Sequence, residues 1–493
     1  MARFGDDHWF KESVAWVVGV FTLALVAQWL GGAQVALLVI VLPIAYHYLF
    51  RAPVHESVKV LFLLALFVEP PDLFPGAGYW DSPLDTANRM LYGFLQKTWG
   101  IPGASFPFLF VIVGILTYRA RKVDPPENAT PSVRVARTWL TRVLYTFFAL
   151  EAWGIARQGA IQPSYFQSLQ LVFRIFFTRL LLRALRKEDV PALGTILVVV
   201  AIFRGFIAAW VYLLVCRPMG IVPEYATHHA DSILFAGAFL VLVAAYLEDR
   251  SKSSLVRLGL WGTWLMAAMV FNNRRLAFVC VGLGAIGMYA ALPPSKLRRK
   301  VNKFLWVLGP TLAAYVLIGG EKGDNPLFAP ARLFYSALNQ KDASSDSRDI
   351  ENNNLLATLN ENPVLGSGFG HEYKEVYKVY EIAEFFPLYK YIPHNSVLWL
   401  WTVGGLLGFF LMWSLYPLAA YLAARAYRMS YVKEDRIASL AAFGVVGVII
   451  AMDWGDVGTN AWMGHIVYAA VLVASAKISG AGELDGLVPV KRE

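Results

Sequence analysis

The run SVLWLWTVGGLLGFFLMWSLYPLAA (396–420) decides the fold. It holds no charged residue and is longer than the roughly 20 apolar residues that an α-helix needs to cross a bilayer. Similar runs recur along the chain near 14–30, 33–50, 57–73, 104–119, 137–155, 164–182, 191–215, 229–247, 255–271, 275–292, 303–319, 437–453 and 459–478. Of the 493 residues, 57% are hydrophobic and 16% charged, with a mean hydropathy of +0.49. A soluble domain carries about 25% charged residues. The expected fold is all-α, a polytopic transmembrane helical bundle of about 12–14 spans. Met1–Ser13 is polar, and Val14–Leu30 is long enough to stay in the membrane as a helix.

The net charge of +9 does not indicate nucleic acid. Its basic residues cluster in short loops, as in RARK (119–122), RALRKED (183–189), EDRSK (248–252), SKLRRK (295–300) and ARAYRMSYVKEDR (424–436). These loops fall on one side of the span count. By the positive-inside rule that side is cytoplasmic, and both termini lie there. The tail 481–493 reads as disordered. Cys216 and Cys280 lie in or beside apolar runs and read as small buried hydrophobes.

The opposite side holds two longer segments, Glu69–Ala104 and Gly320–Tyr391. The second is the largest loop, and short helices are expected in it. A Ser/Asp cluster before DIENNNLLATLNEN (349–362) predicts a helix start. Asn362-Pro363 and glycines 366, 368 and 370 predict its end. HEYKEVYKVYEIAE (371–384) then sets Tyr373, Val376, Tyr377 and Tyr380 at i, i+3, i+4 and i+7, the spacing of an amphipathic helix.

Charged residues beside apolar runs mark the candidate chemistry, because burying them in a bilayer is costly. Arg274-Arg275 interrupt the apolar stretch 255–292 at the outer side. They read either as a turn with snorkelling arginines or as an anion site, since the planar guanidinium matches phosphate oxygens. Arg142, Arg174, Arg179 and Arg204 are further intramembrane arginines. Of these, Arg174 and Arg204 sit deep enough to line a polar cavity. His394 precedes the last long run, where the positive end of a helix dipole favours a neutral imidazole able to accept a proton. His228, His229 and His371 lack metal-ligand spacing, so no metal and no other cofactor is expected.

SRDIENNNLLATLNENPVLGSGFG (347–370) followed by PHNSVLWLWTVGGLLG (393–408) resembles the O-antigen ligase and polysaccharide polymerase superfamily of bacterial membranes. The resemblance rests on Arg348, the turn Asn362-Pro363-Val364-Leu365-Gly366-Ser367-Gly368, the pair His394-Asn395 and Gly405-Leu406-Leu407-Gly408. An arginine opening a helix before the loop is matched by Arg274 or Arg275. The chain departs from the pattern at Asn352, where members often carry Trp, and at Asn273-Arg274-Arg275, where they often carry Ser-Arg.

The resemblance divides the chain into N-terminal helices (1–254) and a ligase-like region (255–480) that includes a periplasmic loop (320–395). It implies a metal-independent inverting transferase of the bacterial inner membrane. The donor is a glycan on undecaprenyl diphosphate. The acceptor is lipid A-core or a growing surface polysaccharide, the roles seen in lipopolysaccharide and exopolysaccharide biosynthesis. On that reading Arg275 and Arg348 stabilise the leaving diphosphate and His394 is the base. Arg274, Asn395, Gly366, Gly368 and Tyr377 bind substrate. The alternative class is a flippase or other transporter of lipid-linked oligosaccharide. Such a protein often shows internal repeats, which this chain lacks.

Overall fold

The computed structural model describes residues 7–30, 34–69, 82–223, 225–321, 326–339, 343–378, 387–456, 458 and 461–487. Among these residues there is no β-strand. The main helices are α1 (Asp7–Trp29), α2 (Gln34–Tyr46), α3 (Val54–Val68), α4 (Phe108–Ala120), α5 (Pro131–Ala156), α6 (Ile161–Ala184), α7 (Val190–Trp210) and α8 (Asp231–Asp249). After α9 (Lys252–Phe271) come α10 (Leu276–Ala291), α11 (Lys296–Glu321), α12 (Ala329–Asn339) and α13 (Ala343–Glu361). The chain closes with α14 (Ser396–Trp413), α15 (Leu415–Met429), α16 (Lys433–Gly455) and α17 (Trp462–Leu484).

Each apolar run read from the sequence falls mainly on helix among its described residues. Eight helices are long and apolar enough to cross a membrane: α1, α7 with its extension to Met219, α8, α9, α11, α14 continuing into α15, α16 and α17. Val39–Arg51, Phe108–Ala120 and Leu276–Ala291 are shorter apolar helices. The remaining three expected spans are the 15-residue α3 and the charge-bearing α5 and α6. The protein is therefore a multi-pass, all-α membrane bundle.

Burial sorts these helices. The apolar window of α17 is 94% buried, while that of α11 is 0% buried. A helix with no polar face and no protein cover is stable only in lipid, where its backbone bonds are satisfied internally. Helices α8, α10, α15, α16 and α17 pack on one another at the centre, and α6 lies against α17. One apolar core runs through them from Val17 to Ala476. Cys216 and Cys280 are buried free thiols within it.

Ion pairs tie the basic loops together at one end of the bundle. Arg183 faces Asp124, Lys187 pairs with Asp435 at 2.9 Å, and Lys433 and Arg436 pair with Asp249 and Glu248. The expectation of disorder from 481 is overturned for the described part, because α17 continues to Leu484. Glu483 accepts from Ser132 N at 3.0 Å and Ser132 Oγ at 2.7 Å, and pairs with Arg425 at 2.9 Å. A carboxylate on the first-turn amide of α5 is stabilised by that helix's dipole. Residues 488–493 lie outside the described residues.

The tyrosine-rich helix expected at 371–384 does not form in its described part, 371–378. Asn354 of α13 takes over the backbone bonds that such a helix would make. Its Oδ1 accepts from the amides of Val376 and Tyr377, both at 2.9 Å, and its Nδ2 donates to Tyr377 O at 2.8 Å. Thr358 Oγ1 accepts from Lys374 N at 2.7 Å. The segment is thus laid along α13 by side chains that outcompete local helix hydrogen bonds. Tyr380 lies outside the described residues.

Candidate active site at the end opposite the basic loops

Asp456 is the centre of the site. It follows the last residue of α16, is buried, and pairs with Arg274. Burial pushes its carboxyl pKa up, but Arg274, His229, Arg348 and His394 outweigh burial and hold it well below the ordinary value. Four cationic or potentially cationic side chains, from four separate parts of the chain, therefore act electrostatically on one carboxylate. Three of them were singled out in the sequence. Asp456 was not, although a carboxylate between two apolar runs is itself a signal.

Arg274 occupies this position. It is buried and also lies over the Tyr225 ring, 5.8 Å from its centroid. The corner that presents it is rigidly built. Asn273 adopts φ +53°, and its Nδ2 donates to Pro223 O at 2.9 Å. Asn272 Oδ1 accepts from Ala226 N at 3.1 Å and Thr227 N at 3.0 Å, and its Nδ2 donates to His228 O at 3.1 Å. Beneath lies Asp231, which accepts from Thr227 Oγ1 at 2.6 Å and from Arg204 at 2.9 and 3.0 Å. Arg204 also donates to the carbonyls of Glu69 and Phe67. Arg204 thus supports the site from below. Arg174, the other deep arginine, lies elsewhere, donating to the Tyr416 hydroxyl at 2.9 Å.

His394 is held by Glu351, one turn beyond Arg348 on α13. Glu351 Oε2 accepts from His394 N at 3.0 Å and lies 3.2 Å from Nδ1. A carboxylate can only accept, so Nδ1 carries the proton and Nε2 is left as the acceptor. The side chain of His394 is 38% exposed and that of Glu351 only 6%, so the imidazole is reachable while its partner is not. Burial lowers the His394 pKa, but the hydrogen bond and charge of Glu351, with Asp456, raise it overall against the opposing charge of Arg348. The direction expected from the helix dipole is thereby reversed, because an adjacent carboxylate outweighs a partial charge. Arg348 is half-buried, and its Nε has no hydrogen-bond partner among the described residues.

Several sequence candidates take structural roles. Asn395 is buried and caps α14, its Oδ1 accepting from Leu398 N at 3.0 Å and its Nδ2 donating to Asn352 Oδ1 at 3.0 Å. Asn352, the departure from the family pattern, is thus coupled to Asn395. Gly366 and Gly368 allow a close backbone approach within this chain. A Cβ on Gly366 would strike Val403 O and Gly405 N, and one on Gly368 would strike Gly154. Gly405 breaks α14 at φ +55°, ψ −166°. Into that break the turn inserts: Ser367 N and Gly368 N donate to Thr402 O and Val403 O at 2.9 Å, and Leu406 N donates to Pro363 O at 2.8 Å. Tyr373 is buried against Leu355 and Leu398, while Tyr377 is 59% exposed.

One group with metal-ligand chemistry lies elsewhere, at His55, Glu56 and Asp189. Lys59 Nζ already bridges its two carboxylates at 2.8 and 3.0 Å.

Residues 258–413 match the family described as O-antigen ligase. This stretch of the chain is similar to the O-antigen ligase and polysaccharide polymerase superfamily. No curated protein matches the sequence. The matched region carries Arg274, Arg348, Glu351 and His394, whereas Asp456 lies beyond it. The matched family is one of glycosyltransferase-type enzymes of the ligase or polymerase kind.

Proposed function

We propose that this O-antigen ligase homologue transfers a glycan from undecaprenyl diphosphate to lipid A-core or a growing surface polysaccharide at the periplasmic face of the bacterial inner membrane. The observation that carries this reading is the pairing of Arg274 with Asp456 beside the pairing of His394 with Glu351, one turn from Arg348 on α13.

Bond cleavage leaves negative charge on the lipid diphosphate. Two guanidiniums fixed beforehand stabilise that charge without reorganising, and this is the contribution expected of Arg274 and Arg348. Arg274 replaces Arg275 in this role. Arg275 is the residue just before α10. His394 Nε2 accepts the proton of the acceptor hydroxyl as its oxygen attacks the anomeric carbon, and the glycosyl–phosphate bond breaks on the opposite face. A single displacement of this kind inverts the anomeric centre. Glu351 orients the ring and stabilises the imidazolium that forms. The charge stabilisation assigned here to two arginines requires no metal.

The test is reconstitution with undecaprenyl-diphosphate glycan, in EDTA, with and without lipid A-core. Longer glycan on the carrier identifies a polymerase, and glycan on lipid A-core a ligase. Arg348→Lys keeps the charge but loses the bidentate fork, and transfer is expected to fall about 100-fold. Carrier moved across the vesicle with no new glycosidic bond overturns the proposal in favour of a transporter. Rescue by magnesium after EDTA inactivation overturns the metal-free clamp.

A further inference from the structure

The chain contains no Asp or Glu from Arg250 to Gly320. Within that stretch Lys296, Arg298, Arg299, Lys300 and Lys303 crowd the start of α11. The loops at 183–189 and 424–436 have carboxylates in ion-pair contact. Among the described residues, no carboxylate pairs with any of these five cations.

The cluster is also shaped. A recess of about 450 Å³ is lined by Pro294, Ser295, Arg298, Arg299 and Asn302. Arg298 is fixed at its rim, donating to Leu292 O at 3.1 Å and lying 4.8 Å from the Tyr289 ring centroid. Asn302 Oδ1 is buried with no partner among the described residues. Arg299, Lys300 and Lys303 are exposed. The helix continuing from the recess is bare of protein cover, with Phe304, Trp306 and Val307 60%, 80% and 69% exposed. Cations beside an apolar surface that faces lipid lie at headgroup depth.

We propose that this recess binds the phosphate of anionic phospholipid headgroups. The charge is of one sign, the chain supplies no neutralising group nearby, and the continuing helix surface is suited to the acyl chains of the same molecule. A juxtamembrane basic cluster gains from each Lys or Arg near an anionic leaflet, and arginine forks match phosphate oxygens. The site lies at the opposite end of α10 from Arg274, so it does not depend on the transfer reaction.

The experiment uses the full chain in detergent, titrated with phosphatidylglycerol or phosphatidylcholine. Bound lipid is counted by native mass spectrometry, and thermal unfolding is followed in parallel. The wild type is expected to retain phosphatidylglycerol preferentially. The variant R298Q/R299Q/K300Q is expected to retain it about tenfold less well, with unchanged size-exclusion behaviour and unchanged unfolding in phosphatidylcholine. The variant K252Q/R257Q removes charge from the same acid-free stretch outside the recess and is expected to bind as the wild type does. Equal retention by the triple variant overturns the proposal, as does an equal loss in both variants, which marks diffuse attraction. If inorganic phosphate protects the wild type while phosphatidylglycerol does not, the recess takes a free anion and the lipid assignment falls.

Discussion

At the scale of the residue, the pairing of His394 with Glu351 sets how the enzyme should respond to pH. In the proposed mechanism His394 is a base that works when neutral, and its pKa is raised in the folded protein, chiefly by Glu351 against the cost of burial. Activity should therefore rise as pH climbs through that raised value. Glu351→Gln removes the charge, so the acidic limb of kcat/KM should move to lower pH. The plateau should fall about tenfold, since the base remains but loses its orientation and counter-charge. A purely structural Glu351 would lower activity without moving the limb, so the pH profile separates the two roles. The adjacent arginines provide a second contrast. Arg274 faces Asp456, so Arg274→Lys should cost about 100-fold in transfer, and Arg275→Lys much less. Sequence spacing could not choose between these neighbours. Arg274 is placed by an asparagine corner and by a carboxylate some 180 residues away, neither of which spacing reports.

At the scale of the element, the family glycines and the broken helix are two halves of one joint. The sequence shows the Asn-Pro-Val-Leu-Gly-Ser-Gly turn and the Gly-Leu-Leu-Gly run as separate motifs. It does not show that the second opens a helix so that the first can supply the missing hydrogen bonds. Loose backbone near a membrane is tolerated where protein re-satisfies its polar groups. This joint also links α13, which carries Arg348 and Glu351, to α14, which follows His394. Gly405→Ala must place a side chain at φ +55°, where the Cβ meets Val364 and Gly366. A loss of at least about 2 kcal/mol is expected, read as a lower thermal midpoint in detergent. Gly282→Ala is the control, since its Cβ meets nothing within 4 Å. Equal midpoints for the two variants would show that the joint is not under backbone constraint. The 371–378 segment shows the converse limit of the sequence. Its tyrosine periodicity suits a helix, but Asn354 and Thr358 bind its amides instead.

At the scale of the whole molecule, the all-α bundle was legible because bilayer length and charge content are properties of composition. The meeting of distant parts of the chain was not. Asp456 and Arg274 approach only because α10 and α16 pack side by side, and long-range packing leaves little local trace. The resulting polarity carries the strongest prediction. Ion pairs join the loops around 124–135, 183–189, 248–252 and 424–436 at one end, while Asn272, Arg274, Arg348, His394 and Asp456 gather at the other. If basic loops face the cytoplasm, the site faces the periplasm. Cysteine labelling tests this directly, because the two native cysteines are buried and give little background. Tyr377→Cys and Tyr431→Cys are suitable positions, 59% and 64% exposed in the parent residues. An impermeant maleimide applied to intact spheroplasts should label the cysteine at 377 and spare the one at 431 until the membrane is permeabilised. The reverse pattern would place His394 in the cytoplasm, away from any donor presented at the outer leaflet, and the proposed transfer would have no site at which to occur.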